Sequence, residues 1–264
     1  MRYFILIPFM IIVFIIVGSV LFSPVSNFKN FEKNSVYTGG NNKSDATYNT
    51  AQSNRKNDLP DLQQVQQAAR QGNGYSQLKL ADLYYSGHGV QQNYQIASYW
   101  YNEAAVQGIA TAQYKLGYMY LNGQGVAVNN QVAVYWYTQA ATQGVAAAQF
   151  GLGYMYHYGL GVQTNYQLAM NWYNLAANQG NSDAQTNIGF MYEKGQGVKQ
   201  DYETAATWYR AAADQGNAMA QYNLGILYYN GYGVPQNKGE ALRLFDLAAR
   251  QGYIDAKNFL KQAY

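Results

Sequence analysis

A block of 36 residues, read from position 108 as GIATAQYKLGYMYLNGQGVAVNNQVAVYWYTQAATQ, recurs five times without insertion or deletion. The glycines that separate the copies fall at Gly72, Gly108, Gly144, Gly180, Gly216 and Gly252. A fixed period of about 20–50 residues is the signature of a solenoid, in which a unit buries its apolar face only against its neighbours. Function is then expected along a surface rather than in a single cleft.

Each unit reads as two helices. In the second copy Ala112, Leu116, Met119 and Tyr120 fall on one side of a 3.6-residue helix, here helix A. Gly123 ends it, because a helix C-terminus favours a residue that accepts the left-handed conformation. After a short GxGV loop, Asn129 stands where its side chain can cap a second helix. Ala133, Trp136, Tyr137, Ala140 and Ala141 follow at i, i+3, i+4, i+7 and i+8, which defines helix B. Such short loops force antiparallel pairs.

Comparison of the copies with one another shows what a unit requires. The four tryptophans share one column, Trp100, Trp136, Trp172 and Trp208, with Leu244 in the last copy. An aromatic follows each: Tyr101, Tyr137, Tyr173, Tyr209 and Phe245. In helix A a small residue recurs as Ala81, Gly117, Gly153, Gly189 and Gly225. Glycine inside a helix costs about 1 kcal/mol against alanine, so its recurrence calls for close approach between helices.

The string A(x3)LG(x2)Y(x2)GxGV(x2)[DN](x3)A(x2)WY(x2)AAxQG, complete from Ala112 to Gly144, resembles the Sel-one-like repeats, relatives of the tetratricopeptide repeats. The resemblance implies an all-α fold, an α-solenoid built as a right-handed superhelix of 36-residue helix-turn-helix repeats. The units run 72–107, 108–143, 144–179, 180–215 and 216–251. The family resemblance implies a scaffold for varied partners and leaves the activity open, since fold does not imply function.

Residues 4–22 carry no charge and, as a helix, would span roughly the 30 Å hydrocarbon core of a bilayer. Residues 1–23 are therefore expected to be a transmembrane signal anchor or a signal peptide. The apolar run continues past Gly18 and Ser19, the small residues a peptidase would need, which favours the uncleaved anchor. Either form places the repeats outside the cytoplasm, in the cell envelope, or secreted if the segment is cleaved. Residues 24–58 are polar, without helical or strand period, and read as a flexible linker. Residues 59–71 resemble a helix B without its partner and residues 252–264 a helix A. They would cap the array of residues 59–264.

Composition removes several functions. Cysteine is absent, so there is neither a disulfide framework nor a thiolate nucleophile. Some secreted relatives of the family are disulfide-rich and linked to β-lactam hydrolysis; the missing cysteines set this chain apart from them, and no SxxK-type nucleophile set is present. The net charge is +3 with Lys and Arg scattered, which argues against a nucleic-acid partner. His88 occupies a variable loop position also held by Gln124, Leu160, Gln196 and Tyr232, and Asp82, Glu103, Asp183, Glu193 and Asp214 fall in different columns. The expectation is a non-enzyme without cofactor or metal.

What remains is a row of aromatics. At 100° per residue, Tyr114, Tyr118 and Leu121 point away from the apolar stripe of helix A. The tetratricopeptide resemblance implies that these columns line the concave face. The candidate partner-binding residues are Tyr85, Tyr114, Tyr118, Phe150, Tyr154, His157, Phe190, Tyr222 and Tyr229. Tyr and Phe give rigid contact area at low entropic cost and are enriched at interfaces, so a protein or peptide partner is expected. The alternative is a cell-envelope carbohydrate binder or hydrolase, which calls for charged groups converging at one point of the groove.

Overall fold

The computed structural model describes residues 62–263 and, among them, twelve α-helices and no strand. α1 (Leu62–Arg70) opens the array. Five antiparallel hairpins follow: α2 (Gly74–Ser86) with α3 (Tyr94–Val106), α4 (Ala110–Asn122) with α5 (Asn130–Thr142), α6 (Ala146–Tyr158) with α7 (Tyr166–Ala177), α8 (Ser182–Lys194) with α9 (Tyr202–Asp214), and α10 (Ala218–Asn230) with α11 (Lys238–Arg250). α12 (Ile254–Ala263) closes it. Each helix packs chiefly on the one before and the one after, which is the contact order of a solenoid. Among the described residues no helix is long and apolar enough to cross a membrane. The expected membrane segment and linker, residues 1–58, lie outside the described residues.

The predicted punctuation is where the chain turns. Asn93, Asn129, Asn165, Asp201 and Asn237 each adopt an extended conformation and accept a hydrogen bond from a first-turn amide, as from Val132 N to Asn129 Oδ1 at 3.0 Å. Such a cap stabilises a helix by about 1 kcal/mol. Gly123 closes α4 in the left-handed conformation, φ 68°, its amide donating to Met119 O. The second glycine of the loop answers a different need. A side chain at Gly125 would overlap the carbonyl of Tyr94, so the loop of one unit lies on the N-terminus of helix B in the unit before.

Small residues set the spacing of the layers. Ala97, Ala133, Ala169, Ala205 and Ala241 in helix B are fully buried, as are Ala112, Ala148, Ala184, Ala220 and Ala256 in helix A. Between them sit Leu80, Leu116, Leu152, Ile188 and Leu224, and Met119, Met155, Met191 and Leu227, each contributing about 1.5–3 kcal/mol by leaving water. The tryptophan column divides: Trp100 and Trp136 are buried, whereas Trp172 and Trp208 are half-buried. The aromatic that follows each is the fully enclosed one, from Tyr101 to Phe245. Tyr120, expected on the apolar stripe, is half-buried.

A buried amide ladder fastens successive units along one edge. Gln113 Nε2 donates to Ala105 O at 3.0 Å, in the last turn of the preceding helix, while its Oε1 accepts from Gln143 Nε2 at 2.7 Å. The same pairing joins Gln77 to Gln107, Gln149 to Gln179, Gln185 to Gln215 and Gln221 to Gln251. Gln77, Gln113, Gln149 and Gln221 each donate to a helix-end carbonyl, and all five buried glutamines accept from their partner, as burial of a polar group demands. This explains the glutamine of the AAxQG ending, to which the period alone gives no role.

Candidate functional site

The aromatic of helix B forms the floor of the surface that the A helices present. The ring of Tyr137 lies between two glycines: a Cβ at Gly117 would come within 2.9 Å of its Cδ1, and one at Gly151 within 3.1 Å of its Cε2. The counterpart of Gly151 one unit earlier is Lys115, whose Nζ sits 5.6 Å from the ring centroid of Tyr101. Three of the hydroxyls on these rings reach A-helix side chains. Tyr101 donates to Asp82 Oδ1 at 2.6 Å, Tyr209 to Glu193 Oε2 at 2.8 Å, and Tyr173 lies 3.4 Å from His157 Nδ1. Burial, reinforced for Tyr101 and Tyr209 by the adjoining carboxylate, pushes the ionisation of Tyr101, Tyr173 and Tyr209 well above the ordinary phenol range. Tyr137 is raised likewise, by burial and then by the Tyr114 and Tyr118 hydroxyls.

Above this floor the predicted residues take different places. Tyr118 and Tyr154 are exposed, 39% and 38%, while Tyr85, Tyr114, Phe150, Phe190, Tyr222 and Tyr229 are half-buried. Tyr85, Tyr101, Tyr114, Lys115 and Tyr118 line an open depression of about 330 Å³. Farther along, Phe150 stands 6.4 Å from Tyr154, and Tyr154 4.5 Å from Tyr158. At the far end Tyr222 packs on Tyr253, just before the closing helix, at 5.2 Å, and Tyr229 on Phe259 within it at 5.1 Å, so the end of the array covers part of both.

His157 departs from the expectation. It is 4% exposed, with Nε2 2.8 Å from Gln196 Oε1 and its ring stacked 4.6 Å from Tyr158. It is a buried buttress of the A-helix surface rather than an accessible contact, because its ring nitrogens meet Gln196 and Tyr173 inside the fold. Burial lowers its proton affinity, partly offset by the Gln196 hydrogen bond.

Two features escaped the linear reading. In two units the variable residue of the GxG loop pairs with a late A-helix residue of the preceding unit: Gln124 accepts from the Tyr85 hydroxyl at 2.9 Å, and Gln196 meets His157. The two members are 39 residues apart, and only their matching polarity, Tyr with Gln and His with Gln, marks them as partners. The second feature is electrostatic. Lys115 Nζ lies 2.6 Å from the same Asp82 Oδ1 that takes the Tyr101 hydroxyl. A carboxylate, an ammonium and a phenol therefore converge at one point, although their sequence columns differ.

Repeated antiparallel hairpins, joined unit to unit by an amide ladder and carrying aromatics on their A helices, define a helical-repeat solenoid. The model of the Sel1 repeat matches residues 74–109, 110–145, 146–181, 182–217 and 218–253. The chain belongs to the Sel1 repeat family. Two solved structures are similar to it. One is a Sel1 repeat protein from Oxalobacter formigenes, 39% identical, with 70% of this chain and 74% of that one covered and a TM-score of 0.68. The other is a protective antigen present in uropathogenic Escherichia coli strains that displays an SLR fold, 38% identical, with 73% of this chain covered and a TM-score of 0.68. The aligned part spans 41% of the antigen's length. No match was found among curated proteins. Sel1 repeat proteins are generally non-enzymatic scaffolds for protein interaction.

Proposed function

We propose that this chain is a scaffold that receives a protein or peptide segment along the aromatic surface of helices α2, α4, α6 and α8. The observation that carries this reading is the exposure of Tyr118 and Tyr154 at the same position of successive units, above a floor that is already closed. Neither ring is needed to fill the core, so each is free to meet a ligand. Interface energy concentrates on such aromatics, at about 2 kcal/mol or more for the strongest. The apolar run of residues 4–22 supports a tethered scaffold, anchored in a membrane with its repeats on the outer side and residues 24–58 as a leash.

The test is capture of envelope proteins by the full-length chain. Replacing Tyr118 and Tyr154 together by Ala should leave helical content and melting intact and weaken the captured partner by about 2 kcal/mol or more. Gln131→Ala, on the exposed side of α5, should change neither. Full-strength capture by the double variant would put the interface elsewhere. A glycan ligand is the second reading, favoured by the convergence of Asp82, Lys115 and Tyr101. Glycan fragments run beside the proteins, with Asp82→Asn as the variant, separate the two.

A further inference from the structure

The tryptophan column is finished differently along the array. In the first two units a tyrosine stands just before the tryptophan and meets it edge-on, Tyr99 on Trp100 and Tyr135 on Trp136, each pair 4.9 Å between centroids. Ile96 and Val132 lie three residues before these tyrosines, and both they and the tryptophans are buried. In the third unit Asn171 takes the place of the tyrosine. Trp172 is then half-buried, and Leu168, in the column of Ile96 and Val132, is 37% exposed. Leu175, in the column of Glu103 and Gln139, is 47% exposed. Leu168, Trp172 and Leu175 follow at i, i+4 and i+7, so they form one apolar stripe along the outer side of α7.

The charge of this face narrows what can cover it. In a two-fold contact a patch meets itself, so net charge within it repels. α7 carries no charged residue, whereas α3 carries Glu103, α9 carries Glu203, Arg210 and Asp214, and α11 carries five charges. α5 is also uncharged but keeps its covering Tyr135. A face without a cation gives an acidic membrane surface or a nucleic acid nothing to pair with.

We propose that the outer face of α7 is the contact through which two copies of this chain pair, two-fold and with the helices antiparallel. The stripe is nearly symmetric about its centre, so Leu168 of one copy lies opposite Leu175 of the other. In that register Trp172 lies opposite Asn171, the position that holds a tyrosine in units 1 and 2. Each copy thus returns to the other the aromatic cover that its own third unit omits. Exposed Gln167 and Asn178 stand at the edge, which gives the contact an apolar centre and a polar rim. The face shares no residue with the aromatic surface of the A helices and does not depend on the scaffold reading.

The test is sedimentation of the full-length chain in mild detergent over about two decades of micromolar concentration. The chain should pass from monomer to dimer as concentration rises. Leu175→Glu, which installs the residue of the first unit, should weaken the dimer about tenfold or more at unchanged helical content. Asn171→Tyr restores the cover of units 1 and 2, and should weaken the dimer likewise while raising the melting temperature. The Tyr118→Ala, Tyr154→Ala double variant should leave the dimer as it is. A chain that stays monomeric throughout, or a dimer indifferent to both α7 variants, overturns the assignment. A monomer whose α7 face captures another protein, with capture lost in Leu175→Glu, overturns it too and makes that protein the occupant.

Discussion

Gly117 and Tyr137 are fitted to each other: a methyl group on the glycine would stand 2.9 Å from the ring and 3.3 Å from the Ala133 carbonyl. An exposed helical glycine gains about 1 kcal/mol on replacement by alanine. Here overpacking, costing about 1–3 kcal/mol, opposes that gain. Gly117→Ala is expected to be net destabilising by about 1 kcal/mol in denaturant titration. A stabilised variant would show that the ring moves aside freely.

The tryptophan column should respond unevenly. Trp136 is 3% exposed, and Trp136→Ala should cost about 3–5 kcal/mol. Trp208 is half-buried, and its replacement should cost clearly less. The Trp136 indole nitrogen is buried without a hydrogen-bond partner, so Trp136→Phe forfeits no hydrogen bond and should cost far less than alanine. Equal losses for Trp136→Ala and Trp208→Ala in urea melts would contradict the division.

The amide ladder makes a sharper contrast. Gln113→Ala removes two hydrogen bonds at once, the one to Ala105 O and the one from Gln143, and at about 1 kcal/mol each should cost about 2 kcal/mol, with the Gly108 amide still donating to Ala105 O. Gln143→Ala removes the exposed partner, leaves the Gln113–Ala105 bond in place, and should cost about 1 kcal/mol or less. Chemical denaturation of both variants checks the order, and a larger loss for Gln143→Ala would reverse the assigned roles.

Alkali should unfold the chain abruptly. Tyr101, Tyr137, Tyr173 and Tyr209 have folded pKa values raised above the ordinary 10.0, chiefly by burial. Above pH 10 the unfolded chain releases these protons and the folded chain keeps them. The stability they contribute is therefore complete below pH 10 and drains as pH rises, at about 1.4 kcal/mol per pH unit for each ring. Phenolate absorbance and circular dichroism, followed together, should show these four rings ionising only as the helices melt. Ionisation of all tyrosines with helicity intact would refute it. At the acid end His157, its pKa lowered by burial, removes stability as pH falls below its ordinary 6.5.

The period, the caps and the hairpins were legible in the linear sequence because they are local. An Asn before an apolar stripe and a Gly after it act within one turn of helix, and a repeat without insertions lets every unit meet its neighbour in the same way. The exposed side of helix A was legible for the same reason: Tyr118 and Tyr154 follow from angular spacing alone. Contacts between helices, at separations from 8 to 39 residues, were not. The sequence does not say that Tyr137 would be clasped between Gly117 and Gly151, that Gln113 would serve Ala105 and be served by Gln143, or that His157 would turn inward to Gln196. Nor does it bring Lys115 to Asp82 and Tyr101 from three different columns. Those relationships depend on how far one hairpin is displaced and rotated against the next. That geometry is set by the summed packing of small and large side chains across each interface, and only the tertiary structure decided it.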